Sequence, residues 1–306
     1  MKTKAARMPE KKMPAKDGPA VASTYDVLEN VLTLRHEWPK VEGREQWYLL
    51  QADEHFDNAK CDRERYKRDL DEAVARNAGI IKFGDFFCAM QGKYDKRSSM
   101  SELRDAHKVA AYSNALVNEA AEFHAPYAKH LLMVGVGNHE SGFTNKTGTD
   151  LTALFVEKMQ DRYGSPVIKG GYAGWLRFMV QAHGGVRRSL RAWYTHGYGG
   201  GGPVTLDTIQ AQRQMAYIHG ADMMFSGHTH DAWLVERVAI SLTDCGKQQR
   251  IATVQCKIPT YKDEFRKAAG GWHIETGKPP KPLGGYWLRL WWCDSMLRFS
   301  LTRTDG

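Results

Sequence analysis

The sequence predicts an α/β fold, and three features carry that prediction. Short apolar runs rich in β-formers alternate with amphipathic helical stretches through the first half. The last third reads as successive strands with turn residues between them. Each of the first five apolar runs is closed by polar residues of metal-binding type, as expected where a sheet gathers a site at the carboxyl ends of its strands.

In chain order, residues 1–20 hold six basic and two acidic residues and no apolar stretch, so they read as a disordered basic tail rather than a secretory signal. From residue 21 to 306 no repeat or linker interrupts the chain, which predicts a single domain. Trp47–Gln51 (WYLLQ) is the first buried strand. Asp62–Asn77 follows with Leu70, Ala73, Val74 and Ala78 at helical spacing. Ile80–Phe83 is the second strand, Leu103–Phe123 the second amphipathic helix and Leu131–Val136 the third strand. Strand, helix, strand, helix, strand implies βαβ units with parallel pairing.

Residues 141–185 exceed a simple connection. They hold a helix at Leu151–Arg162 and then a piece rich in glycine and aromatics (KGGYAGWLRF), and read as an inserted, cap-like segment. Arg191–Thr195 and Met223–Ser226 are the fourth and fifth strands. Trp233–Leu242, Arg250–Lys257, Tyr286–Trp292 and Met296–Thr302 complete the β-rich end.

Composition narrows the function classes. Of 306 residues 42% are hydrophobic and 25% charged, as in a globular protein with a sizeable core. No apolar run approaches the roughly 18 residues that would span a bilayer, so no membrane partner is expected. The net charge is +8, and the tail contributes half of it, leaving a mildly basic body. Five scattered cysteines without a CxxC pair indicate neither a disulfide framework nor a thiolate zinc site, and point to a reducing, cytoplasmic setting.

The strand-closing residues carry the chemistry. Asp53-Glu54-His55 closes the first run, Gly84-Asp85 the second, Gly137-Asn138-His139-Glu140 the third, His196 the fourth and Gly227-His228-Thr229-His230 the fifth. A lone Gly-Asp is a turn and a lone strand-end His is usually structural; five successive endings of this kind are not chance. The carboxylates of Asp53 and Asp85, the amide of Asn138 and the imidazoles of His55, His196, His228 and His230 suffice for two adjacent first-row divalent ions. Such nitrogen and oxygen donors suit manganese, iron, zinc or nickel better than calcium, and two such ions, manganese foremost, are the expected cofactors.

This ordered set resembles the calcineurin-like metallophosphoesterase superfamily, from Asp53 to His230. The resemblance implies a four-layer αββα sandwich of two mixed β-sheets flanked by helices, with a dinuclear metal centre at the carboxyl ends of the strands. It assigns Asp53, His55 and His230 to one ion and Asn138, His196 and His228 to the other, with Asp85 bridging. It leaves His139 unligated beside the centre, as the residue that assists the leaving group. One departure stands out: Cys88 (GDFFC) occupies the place three residues after Asp85 where an acidic or amide residue is common.

The expected activity is metal-dependent hydrolysis of a phosphoester by a two-metal-activated hydroxide, foremost a phosphodiesterase acting on nucleic acid or nucleotides. A phosphomonoesterase is the close alternative, and a non-catalytic scaffold of the same fold a remoter one. Candidate substrate contacts are Tyr198 and Gly199 in the glycine-rich run after His196, Arg97 within Lys93–Arg97, and Arg191 with Arg187 and Arg188. Tyr172 and Trp175 could stack on a base, although packing explains them as well. The sequence sets no oligomeric state and leaves a dimer open.

Overall fold

A computed structural model describes residues 18, 19, 21–90, 102–200, 202, 204–265 and 272–305. Two mixed sheets face each other. The first has six strands: β3 (Glu45–Gln51), β4 (Gly79–Lys82), β5 (Leu131–Val134) and β6 (Ile168–Lys169) run parallel, and β12 (Tyr286–Cys293) and β13 (Met296–Arg303) extend it antiparallel beside β3. The second has seven strands in the order β1 (Ala22–Asp26), β2 (Val31–Trp38), β7 (Ala173–Ala182), β8 (Arg187–Thr195), β9 (Met223–Ser226), β11 (Gln248–Lys257), β10 (Trp233–Leu242). Within it β8, β9 and β11 are parallel, as are β2 and β7.

Alternation along the strands decides the layers. Tyr48, Leu50, Ile81, Phe83 and Met133 of the first sheet meet Leu32, Leu34, Leu176, Phe178, Val180, Tyr194 and Phe225 of the second in one dry core. Each such side chain contributes roughly 1.5–3 kcal/mol by leaving water. The opposite face of the first sheet, with Leu49, Ile80 and Leu131, is covered by α1 (Arg63–Ala75), α2 (Tyr112–His124) and α4 (Leu151–Tyr163). Asp62 and Asp150 cap α1 and α4 by accepting backbone N–H bonds. A shorter α3 (Asn138–Thr147) follows β5, and α5 (Thr208–Met215) lies on the outer side of the second sheet, where Gln255 Nε2 donates to the Ala211 carbonyl. A one-turn α6 (Trp272–Glu275) precedes β12.

The fold is thus α/β with two mixed sheets flanked by helices, although the outer helical layer of the second sheet is thin. Over β2, β7 and β8 that face is closed by its own polar outward residues, among them Arg35, Arg177 and Arg191. No helix among the described residues is long and apolar enough to cross a membrane.

Three expectations need correction. Residues 141–185 do not form a separate cap: α4 packs on α2, and Ala173–Ala182 is β7, an interior strand between β2 and β8. Its inward residues Leu176, Phe178 and Val180 explain why it is buried; Gly174 sits against Asn30, where a Cβ would meet the amide at 2.8 Å. The helix expected over Leu103–Phe123 begins only at Tyr112. Leu103 bridges to Asn58, Asp105–His107 forms a 3₁₀ turn, and the chain leaves helical angles at Lys108 and Ala111. β1 and β2 precede the first expected strand altogether. The basic tail lies outside the described residues except for Gly18 and Pro19.

Candidate metal centre

The five expected strands end along one edge, at the seam between the sheets. β3, β4 and β5 deliver Asp53 and His55, Asp85, and Asn138 with His139; β8 and β9 of the facing sheet deliver His196, and His228 with His230. The loops past the strand ends are stitched together by backbone bonds. Asp53 N–H donates to Gly84 O, His55 N–H to Asp85 O and Gly227 N–H to His196 O, each at 3.0 Å.

The geometry groups the side chains in two sets. Ligand atoms of Asp53, His55 and His230 lie within 4.8 Å of one another, as do those of Asp85, His196 and His228. In the first set His55 Nε2 is 3.1 Å from His230 Nε2, which is 3.5 Å from Asp53 Oδ1. In the second, His196 Nε2 stands 3.2 Å from Asp85 Oδ2, and Asn138 Oδ1 lies 3.1 Å from His196 Nε2 and 2.8 Å from His228 Nδ1. His196 Nε2 is also 3.9 Å from Asp53 Oδ1, which links the sets.

The far sides of these groups are held by the protein. His196 Nδ1 bonds the Phe83 carbonyl and His228 Nε2 the Gly199 carbonyl, so each ring presents its other nitrogen inward. Asp53 Oδ2 accepts the His228 N–H at 2.7 Å, while its Oδ1 is buried and accepts no hydrogen bond. A buried carboxylate oxygen left bare beside imidazole nitrogens is what a cation would satisfy, so this donor set fits divalent ions.

Backbone strain is concentrated in the same residues. Asp53, His55, Asp85, His228 and His230 all have φ between 46° and 78°, a region non-glycine residues seldom occupy and that costs on the order of 1–3 kcal/mol each. Two glycines make room for the carboxylates. A Cβ on Gly137 would stand 2.0 Å from Asp85 Oδ1, and one on Gly227 2.5 Å from Asp53 Oδ2.

Electrostatics follow from this packing. Burial alone would raise the Asp85 carboxyl, but the imidazoles of His196 and His139 hold it well below its usual range. Burial opposes charging of His196 too, yet the carboxylate of Asp85 lifts that imidazole to about 9. His55 and His228 are pushed down, first by burial and then by neighbouring imidazoles, which keeps them neutral and available as donors.

His139 lies beside both sets. Its Nδ1–H donates to the Cys88 carbonyl at 2.6 Å, its N–H donates to Asp85 Oδ1, and its Nε2 is 3.8 Å from Asp85 Oδ2. Glu140, quoted in the motif but given no role above, is a buried staple: its carboxylate accepts from Gly137, Asp85 and Phe87 N–H, joining the start of α3 to the Asp85 loop. Asp57 does the same for Cys88 and Ala89. Glu140 was visible as the third residue of a helix after a glycine N-cap; Asp57 gave no signal, because its partners are remote backbone amides.

The expected substrate contacts fare unevenly. Tyr198 is exposed near His196, with its hydroxyl 3.4 Å from that of Tyr217. Gly199 turns its carbonyl to His228, so its role is to orient that ring. Arg191 must be withdrawn as a cation near the centre. It lies five residues before His196, about 16 Å upstream along an extended strand, and pairs with Asp222 at 3.5 Å. Arg187 and Arg188 lie further back, on Gln181 and the Ser295 carbonyl. Arg97 falls outside the described residues. Tyr172 donates to the Gly197 carbonyl, and Trp175 packs on Trp193.

The two mixed sheets flanked by helices agree with the fold that the calcineurin-like resemblance implied. No protein-family model and no curated protein matches the sequence. Among solved structures, the chain is similar to the calcineurin-like phosphoesterase YfkN from Bacillus subtilis, at 13% identity over 86% of this chain and 91% of that one, with a TM-score of 0.32. It is also similar to the Thermotoga maritima protein TM1076, at 10% identity over 84% and 99% of the chains, with a TM-score of 0.28. At such scores the weight rests on the residues of the site.

Proposed function

We propose that the chain is a metal-dependent phosphoesterase of the calcineurin-like kind, with Asp53, His55 and His230 on one divalent ion, Asn138, His196 and His228 on a second, and Asp85 between them. The observation that carries this reading is the convergence of seven donors from five strand ends, with a bare buried oxygen on Asp53. Manganese is the expected ion, with iron, zinc or nickel as substitutes. When bound, a pair of such ions supplies Lewis-acid polarisation of phosphoryl oxygens and lowers the pKa of water.

The chain's own residues do the rest. The bond from His139 Nδ1–H to the Cys88 carbonyl leaves Nε2 as the atom that carries a proton towards the leaving oxygen. Glu140 and the strained ligand loops fix the carboxylates before any ion arrives, so binding costs little reorganisation. The Tyr198 and Tyr217 pair offers an exposed aromatic rim for a base or aryl group.

A diester on nucleic acid or a nucleotide is the favoured substrate class. It is supported by the mildly basic body. The test compares bis-p-nitrophenyl phosphate with p-nitrophenyl phosphate on manganese-loaded protein. Faster diester turnover supports the reading; faster monoester turnover replaces it with a phosphomonoesterase.

A further inference from the structure

Beside the two ligand sets lies a third. Ligand atoms of His55, Cys88 and His139 also fall within 4.8 Å of one another. Cys88 is 1% exposed and not in a disulfide. Its sulfur is oriented by Asn58 Nδ2 at 3.3 Å, and Asn58 is in turn held by Glu102. The rings of His55 and His139 meet edge to face with centroids 5.0 Å apart.

A thiol with two imidazoles is a soft donor set, unlike the carboxylate, amide and imidazole sets beside it. Three protein donors with a fourth position open is an arrangement zinc and cadmium accept, whereas manganese gains little from sulfur. Burial pushes the Cys88 thiol up, and the nearby Lys262 ammonium opposes that only in part, so the thiol keeps its proton until an ion displaces it.

We infer that His55, Cys88 and His139 form an inhibitory site for a thiophilic divalent ion, overlapping the metal centre proposed above. Binding forms a metal–sulfur bond and releases the thiol proton to solvent. It engages His139, the proton carrier, and competes for His55. The inference rests on the phosphoesterase reading for its effect on turnover, but the site itself is read by absorption.

The experiment adds cadmium chloride to the full chain loaded with manganese. The expected result is a thiolate-to-cadmium charge-transfer band that saturates near one equivalent, with turnover falling at least tenfold in step. Cys88→Ser should abolish that band and raise the cadmium concentration for half-inhibition about tenfold or more. Cys245→Ser and Cys293→Ser, which remove exposed thiols, should leave the band in place. If Cys88→Ser does not fold, His139→Gln keeps the thiol and should weaken cadmium binding about tenfold by the same band.

Absence of a band, a band that vanishes with Cys245 or Cys293 instead, a band without loss of turnover, or unchanged cadmium binding in His139→Gln would each overturn the inference. Protein that hydrolyses no phosphoester with any metal would defeat the phosphoesterase reading and, with it, the inhibitory role, while the band would still decide whether cadmium binds Cys88.

Discussion

His139 and Gly137 lie two residues apart in the chain and predict different failures. His139 contributes a backbone N–H to Asp85, which any residue but proline would keep, and a side chain that no expected ligand set requires. His139→Ala is therefore expected to retain its metals and lose about 10²–10⁴-fold in turnover on an alkyl ester, and less on a nitrophenyl ester whose leaving group needs no proton. Metal content measured alongside turnover separates these effects. Gly137→Ala places a methyl 2.0 Å from Asp85 Oδ1 and 2.3 Å from Asp85 N, so it must displace both the carboxylate and the loop that carries it. Metal analysis should show that variant depleted.

At the scale of elements, the start of α3 and the loop after β4 act as one unit because Glu140 accepts three backbone N–H groups from them. Removing a buried acceptor of this kind leaves donors unpaired at about 1–3 kcal/mol each. Glu140→Ala should lower the melting temperature of metal-free protein and weaken metal binding together, with Glu140→Gln intermediate on both. A second link joins α1 and α2, where Glu119 lies 2.5 Å from both Arg63 Nη1 and His107 Nε2. Burial would raise its carboxyl, but the bonds to His107 and Arg63 lower it to about 2. A folded pKa below the unfolded one means stabilisation that is complete above about 4.5 and lost as pH falls towards 2. Glu119→Gln should thus flatten the acid limb of metal-free unfolding over that window and change little near neutrality.

Elements also show where the sequence was legible. WYLLQ and MMFS announce buried strands by composition, and both lie within or match β3 and β9. β7 was hidden because Gly170, Gly171 and Gly174 made its start look like a loop, and because Trp175 and Arg177 face outward between inward apolar residues. β2 carries a clean alternation at Leu32, Leu34, His36 and Trp38, but a buried histidine and three charged or polar neighbours mask it. The candidate ligands were readable because each follows a strand end. Arg191 misled because its nearness to His196 in sequence ignores the rise of an extended strand, and Asp57 acts through contacts to remote backbone amides that only the folded chain creates.

Over the whole molecule, the two sheets have separate jobs at one seam. Each supplies part of each expected ion site, so filling the centre should clamp the sheets together: His196 and His228 come from one and Asp85 and Asn138 from the other. Ions that bind only the folded chain stabilise it by about 2.7 kcal/mol at a hundredfold excess over Kd. Chelation should therefore lower the melting temperature of wild-type protein and leave that of Asp85→Asn nearly unchanged.

The most direct test of the proposed dinuclear centre is metal content and turnover measured together. Metal-stripped wild-type protein and its Asp85→Asn variant would each be refilled with manganese, desalted, and assayed on bis-p-nitrophenyl phosphate. The account predicts two manganese ions per wild-type chain with hydrolysis that rises in proportion, and loss of both in Asp85→Asn. Full turnover in stripped protein, or undiminished metal and activity in Asp85→Asn, would contradict it.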